Sequence, residues 1–243
     1  MINYLTPHMK LIFCFLFTLL FLNTFAQDTT LHRFKGVFFP YPMDRPAKFS
    51  VGLTFTTMPY DITEELHFQI PALDVHLLKR VSKKLALDMR ANVQVVQNLL
   101  TAGPRWATTL NDRFSISIGN EVGYWFGAVN TEGIRTRGHG FQNVPHLAIG
   151  HRFNRRVLLT FRAEALMNFG IKTYAKDTEL TSDYRLFGGS TYSLILEQPF
   201  YGNKVLTIGL RGIYTDFFWQ TWSLFETFDR NIFYPQVIIG LNL

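Results

Sequence analysis

The last eleven residues of the chain alternate almost without error. Phe233, Pro235, Val237, Ile239, Leu241 and Leu243 fall on one parity, and Tyr234, Gln236, Ile238, Gly240 and Asn242 on the other. Successive side chains of a β-strand point to opposite faces, so a period of two marks a strand with two different surroundings. The pattern recurs at 85–97, where Leu85, Leu87, Met89, Ala91, Val93 and Val95 alternate with Ala86, Asp88, Arg90, Asn92 and Gln94. It recurs again at 113–128 and 157–171, and in weaker form at about 48–57, 66–78, 100–110, 142–152, 184–197, 205–215 and 231–243. That makes ten predicted strands in an all-β chain.

A final strand with one apolar face and one small or polar face resembles the closing strand of a bacterial outer-membrane β-barrel. The resemblance implies a transmembrane antiparallel up-and-down barrel of about ten strands. It implies no activity. The connections fit with one exception: 79–84, 111–112, 153–156 and 198–204 are short, while 58–65, 129–141, 172–183 and 216–230 are longer, and 97–99 departs from the pattern. Short periplasmic turns and longer outer loops are the usual asymmetry of such barrels, and an even strand count returns both termini to one side.

The N-terminal end reads as a secretory leader. Lys10 precedes an apolar run from Leu11 to Leu22, and Ala26 stands before Gln27. A basic residue, a short apolar core and a small residue before the cut predict a signal peptide over 1–26, cleaved before Gln27. The run is shorter than the roughly 20 residues of a spanning helix. An N-terminal periplasmic segment over 27–47 and a barrel over 48–243 complete the organisation. The single cysteine, Cys14, lies in the leader, so the mature chain is expected to lack disulfides, thiolate metal sites and cysteine nucleophiles.

Alternation alone does not say which face meets lipid. The polar parity carries Arg90, Arg105, Arg152, Arg162, Arg185 and Arg211, while lysines cluster at turns and strand ends. Arginine is favoured over lysine in enclosed ion pairs. Asp74, Asp88, Glu121, Glu164 and Glu197 share that parity and nearly balance the arginines. Polar-in and apolar-out is the membrane arrangement. These eleven residues are therefore expected to form a lumen charge network. Such a network either plugs a narrow barrel with ion pairs or lines a selective pore. Four prolines, at 71, 104, 145 and 235, fall within strands that should lack a free edge, and the phase of strand two shifts near Pro71. A bulge there would account for both facts.

No phosphate loop, nucleophile elbow or dinucleotide fingerprint appears, and the histidines lack metal-ligand spacing. No catalytic residue, cofactor or metal is assigned. The rim candidates Asp61, Glu64, Glu65, His67, His139, His146 and Asp216 show no spacing that pairs an acid with a base. Removing Lys10 with the leader takes the net charge from +6 to +5, with the basic residues gathered at the periplasmic turns and the outer loops acidic, and nucleic acid is excluded by compartment. Two aromatic segments stand out. Loop 216–230 holds Trp219, Trp222 and Phe225, which could dock a protein partner, touch headgroups or cover the barrel mouth. Phe38-Phe39-Pro40-Tyr41-Pro42 could pack in the lumen mouth, lie at the inner interface or bind a partner. The expected function is a non-enzymatic outer-membrane barrel in contact with lipid, with a side-chain-filled lumen, presenting loops or docking partners. A narrow passive channel is the alternative, and a surface lipid-modifying or proteolytic enzyme ranks below it.

Overall fold

The structure, a computed structural model, describes residues 36–60, 69–131, 134–153, 156–180, 185–224 and 230–243. The strands are β1 (Ala47–Thr57), β2 (Gln69–Arg80), β3 (Leu85–Val93), β4 (Gln97–Thr109), β5 (Phe114–Thr131), β6 (Ile134–Arg152), β7 (Leu158–Ala175), β8 (Thr178–Leu180), β9 (Phe187–Pro199), β10 (Val205–Thr215) and β11 (Ile232–Asn242). Neighbours in sequence pair antiparallel, β7 pairs with β9, and β11 pairs back onto β1 from Ser50↔Asn242 to Thr56↔Gln236. Ten strands thus close a barrel, and closure leaves no free sheet edge. The short β8 adds a hairpin to β7 beyond the ring, turning at Lys176 with φ of 55°.

All ten strands read from alternation are present. The largest difference lies at 129–141, read as a long loop. There β5 continues to Thr131 and β6 begins at Ile134, so most of the loop is a strand hairpin. Its outward residues, Arg135, Arg137 and His139, are polar and its inward ones include Gly138 and Gly140, so no apolar parity marks the strand, and the register shift opposite His139–Phe141 falls on β7 at Gly170, where φ is 59°.

The two parities separate as polar-in and apolar-out. Ile118, Phe161 and Ile239 are 57%, 46% and 47% exposed on the outside, whereas Asp88 and Glu197 are fully enclosed. An apolar exterior is stable only against lipid or another apolar surface. Phe161→Arg is therefore expected to cost about 2–4 kcal/mol at mid-membrane depth. A spin label at Val93 should report lipid, and one at Arg90 packed or aqueous surroundings. The opposite pair of spectra would reverse the assignment of faces.

The predicted bulge at Pro71 is absent: β1 and β2 pair without a register shift, with Pro71 opposite Phe55. The phase change has another cause. Ile70 points inward and packs on an apolar cluster at the outer end of the lumen. The prolines are accommodated by local loss of pairing. Pro71 lies beyond the last β2–β3 pair, Leu73↔Val93. Pro235 lies beyond the last β1–β11 pair, Thr56↔Gln236. Pro104 faces β5 in a break between Ala102↔Val122 and Arg105↔Gly119. Pro145 faces β7 in a break between Asn143↔Met167 and His146↔Glu164. Each proline is thus paired on one side only, and the side without its missing donor is left open.

Candidate functional site

The lumen is occupied along its length, in three layers. The innermost is residues 36–43, which fold into the barrel end where the chain enters β1. Val37, Phe38, Phe39 and Met43 are all buried there, and Val37, Phe38 and Met43 cluster with Leu78, Ala86 and Ile195. Of the three positions open to the Phe38–Pro42 segment, this is the lumen mouth. The anchor is Glu197. Its carboxylate accepts the backbone N–H groups of Val37 (2.7 Å), Phe38 (3.2 Å) and Phe39 (2.8 Å), and the Nδ2 of Asn242 (2.8 Å). Successive N–H groups aimed at one anion form a nest. Gly36 is required by this approach, since a Cβ there would lie 2.0 Å from a carboxylate oxygen of Glu197. Arg105 donates to Val37 O at 3.1 Å, and Lys48 to Gly36 O at 3.0 Å. The Arg152 guanidinium stands 5.5 Å from the Phe39 ring centre and 5.9 Å from that of Tyr41.

The middle layer is centred on Arg162 of β7. Its Nη2 donates to Glu121 Oε1 at 2.6 Å and lies 3.1 Å from His146 Nδ1. Its Nε is 2.6 Å from Glu164 Oε1, and its Nη1 is 3.9 Å from Asp88 Oδ2. Asp88 also meets His76 Nε2 at 2.5 Å and Arg105 Nη1 at 3.6 Å. Thr101 donates to Glu121 Oε2 at 2.6 Å. The contacts join β3 and β7 across the lumen. Asp88, Glu121 and His146 bring potential metal-ligand atoms within 4.8 Å of one another, a grouping that the sequence spacing did not reveal. The Arg162 guanidinium stands against all three and supplies the positive charge at that point.

Beside this layer, Arg90 pairs with Asp74 at 3.2 Å. Arg211 donates to Ser193 Oγ at 3.0 Å and to Gln236 Oε1 at 3.1 Å. A chamber of about 80 Å³ opens here, lined by Arg90, Arg211, Glu121, Glu164, Phe218 and Trp219 among others. A water molecule needs roughly 10–15 Å³ by this kind of measure, so the chamber holds only a few.

The outer layer is a lid. Residues after β10 turn inward as a short 3₁₀ helix, Trp219–Leu224. Phe217, Phe218, Trp219 and Trp222 pack on inward-facing Trp125, Val144, Leu166, Ile213, Ile232 and Tyr234. Glycine makes the room: a Cβ at Gly127 or Gly138 would lie 2.6 or 2.7 Å from the Trp222 ring. Gln220 ties the lid down, accepting from Thr56 at 2.9 Å while its carbonyl accepts from Gln97 Nε2 at 2.7 Å. The lumen is therefore charged and polar in its middle, with an apolar cluster at each end, mixed with the polar nest around Glu197 at the end bearing residues 36–43.

Ten of the eleven residues expected in the lumen network have their side chains enclosed in the barrel. Arg185 does not. It is exposed, two residues before β9 begins at Phe187, and its charge acts on Asp216 at the rim. The late start of β9 takes it out of the alternating pattern. Trp219 and Trp222, considered for partner docking, are 6% and 2% exposed and offer no surface to a partner. Their apolar area is buried against the barrel's own mouth. Phe225 lies outside the described residues, as do Asp61, Glu64, Glu65 and His67. His146 adjoins Glu121 and Arg162 in the middle layer. His139 lies against the rings of Tyr124 and Tyr174, an aromatic setting rather than an acid–base pair.

No family model and no curated protein sequence matches the chain. Among solved structures, the KdgM porin in complex with disordered oligogalacturonate is 13% identical, with 79% of this chain and 97% of that chain covered and a TM-score of 0.36. The toluene transporter TodX of P. putida is 8% identical, with 86% and 71% covered and a TM-score of 0.37. Ail, the attachment invasion locus protein of Yersinia pestis, is 9% identical, with 81% and 97% covered and a TM-score of 0.26. The chain itself closes a ten-stranded antiparallel barrel with an apolar exterior and an enclosed polar interior. These proteins differ widely in what their names say they do, and the likeness extends to architecture alone.

Proposed function

We propose that the chain is a non-enzymatic component of the bacterial outer membrane, a barrel closed along its lumen that holds its outer hairpins at the cell surface. The carrying observation is the Arg162 layer, in which side chains from the six strands β2 to β7 meet in the lumen, with residues 36–43 below it and the Trp219–Trp222 lid above. Any solute would have to displace all three. The leader read over 1–26, with cleavage before Gln27, supports the location. The end bearing residues 36–43 and the short turns is read as periplasmic. Most of the charges left in the lumen pair with one another, and Glu197 and Arg211 are met by backbone N–H groups and neutral side chains, so the lumen serves as the core of the fold. With Trp219 and Trp222 turned inward, a protein partner would meet the projecting β5–β6 and β7–β8 hairpins.

One observation favours a second reading, a gated narrow channel: the chamber of about 80 Å³ between the closures. Single-channel recording in a planar bilayer separates the two. The closed-barrel reading expects no steady current from the wild-type protein at moderate voltage. A large and stable conductance would replace it with the channel.

A further inference from the structure

The outward parity of β5, β6 and β7 changes character at the end away from residues 36–43. Tyr124, Phe141 and Phe169 form a row across the three strands, through the pairs Tyr124↔Phe141 and Phe141↔Phe169. Their rings lie 5.0 and 5.6 Å apart, and all three are exposed on the outer wall. Such aromatic rows mark the boundary between hydrocarbon and headgroups. The next outward positions hold His139 and Lys172, paired across β6–β7, then Arg137 and Tyr174, also paired, then Arg135. The boundary row is thus followed at once by cations on the same wall.

These cations are not neutralised as the lumen arginines are. Arg135 and Arg137 are exposed, and no ion pair to either occurs among the described residues. Among the described residues Lys172 pairs with Glu179 at 3.8 Å, both side chains 51% exposed, a pair of little energy. The Arg137 guanidinium stands over the Tyr174 ring at 4.7 Å, and the His139 ring stacks with the same ring at 6.2 Å between centres. Cation–π contact holds the guanidinium in place and leaves its N–H groups free to donate. Arg135 and Arg137 are two residues apart on one face, about 7 Å. Outside this cluster the exposed arginines at this end, Arg185 and Arg230, stand singly before β9 and β11. Among the described residues, the outward positions of β1 (Phe55, Thr57), β2 (Gln69, Pro71), β10 (Tyr214) and β11 (Phe233, Pro235) hold no lysine or arginine.

We propose that Arg135, Arg137 and Lys172, backed by Tyr174, form a binding site for the phosphorylated headgroup of an outer-leaflet glycolipid, whose acyl chains lie along Phe141 and Phe169. This rests on the outer-membrane reading and deepens it by naming the lipid class and the strands that hold it. Anionic phosphate oxygens suit the arginine fork, and the aromatic row sets the depth at which the headgroup meets the cations. The cations face away from the lumen, so the site recruits lipid and does not select a solute.

The test uses the full barrel refolded into phosphatidylcholine vesicles with and without diphosphorylated lipid A. The comparison is wild type against the triple variant R135Q/R137Q/K172Q. All three side chains are exposed, so the variant should fold and melt in plain phosphatidylcholine like the wild type. With about 1 kcal/mol for each cation near an anionic surface, lipid A should raise the wild-type melting midpoint by roughly 6–12 °C. The variant should lose most of that rise. Equal rises in both proteins, or none in the wild type, would overturn the site. So would an equal rise caused by soluble pyrophosphate in plain vesicles, which would make it a site for a free anion. Failure of the wild type to insert into either vesicle would instead count against the outer-membrane reading, before the site is tested.

Discussion

Arg162→Leu is expected to cost the barrel about 3–5 kcal/mol, because it leaves several enclosed acids without their shared cation. Glu121 and Glu164 each lie 2.6 Å from the guanidinium, and Asp88 lies 3.9 Å from it. A leucine replaces the hydrophobic volume but none of the charge. The carboxylates must then be protonated, hydrated by water drawn into the lumen, or left repelling one another. Arg162→Lys keeps a charge but loses the planar fork that reaches Glu121 and Glu164 from different nitrogens, so it should fall between the two. Removing the acids together with the cation should recover part of the loss, as for other buried ionic clusters. The measurement is urea unfolding of the refolded protein in detergent, followed by the gel shift between folded and heated forms. An Arg162→Leu barrel as stable as the wild type would mean that the lumen is wet enough to screen the charges, and the core role assigned to them would fail.

The second large effect concerns the innermost closure. Glu197→Ala should release residues 36–43 from the lumen while leaving the strands paired. Hydrogen bonds to a charged acceptor are worth about 1.5–3 kcal/mol each, and this carboxylate accepts three from one short segment. Losing even 3 kcal/mol of local stability raises the open population about 10²-fold. Val37, which is 1% exposed, provides the reporter. The only cysteine of the full sequence is Cys14, so Val37→Cys combined with Cys14→Ser supplies a unique thiol. Its reaction with a water-soluble maleimide should be slow in an otherwise wild-type barrel and about 10²-fold faster with Glu197→Ala. Gly36→Ala should act in the same direction, since its Cβ would collide with the carboxylate. Identical labelling rates with and without Glu197 would show that Phe38 and Met43 hold the segment by packing alone.

Much of this architecture is legible in the chain, because side-chain parity is a local property of a strand. Val93, Phe161 and Ile239 are outward, and Arg90, Glu121 and Glu164 inward, for a reason two adjacent residues suffice to express. The even strand count, the short turns at one end and the use of arginine rather than lysine on the inner face are likewise visible without coordinates. The leader and the absence of catalytic spacing belong to the same level.

What the tertiary structure decided is who meets whom inside the ring. Glu121 reaches Arg162 across a separation of 41 residues, and Glu197 reaches Val37 across 160. Those meetings depend on how strands stagger when the sheet closes, which alternation does not encode. The destination of the aromatic loop was equally hidden. Burial of apolar surface has no direction, so Trp219 and Trp222 could have faced lipid, a partner or the lumen with the same sequence. Space beside Gly127 and Gly138 settled the matter, by admitting the Trp222 ring. Ile70 followed, inward against the expected phase, because the lid had made that end of the lumen apolar.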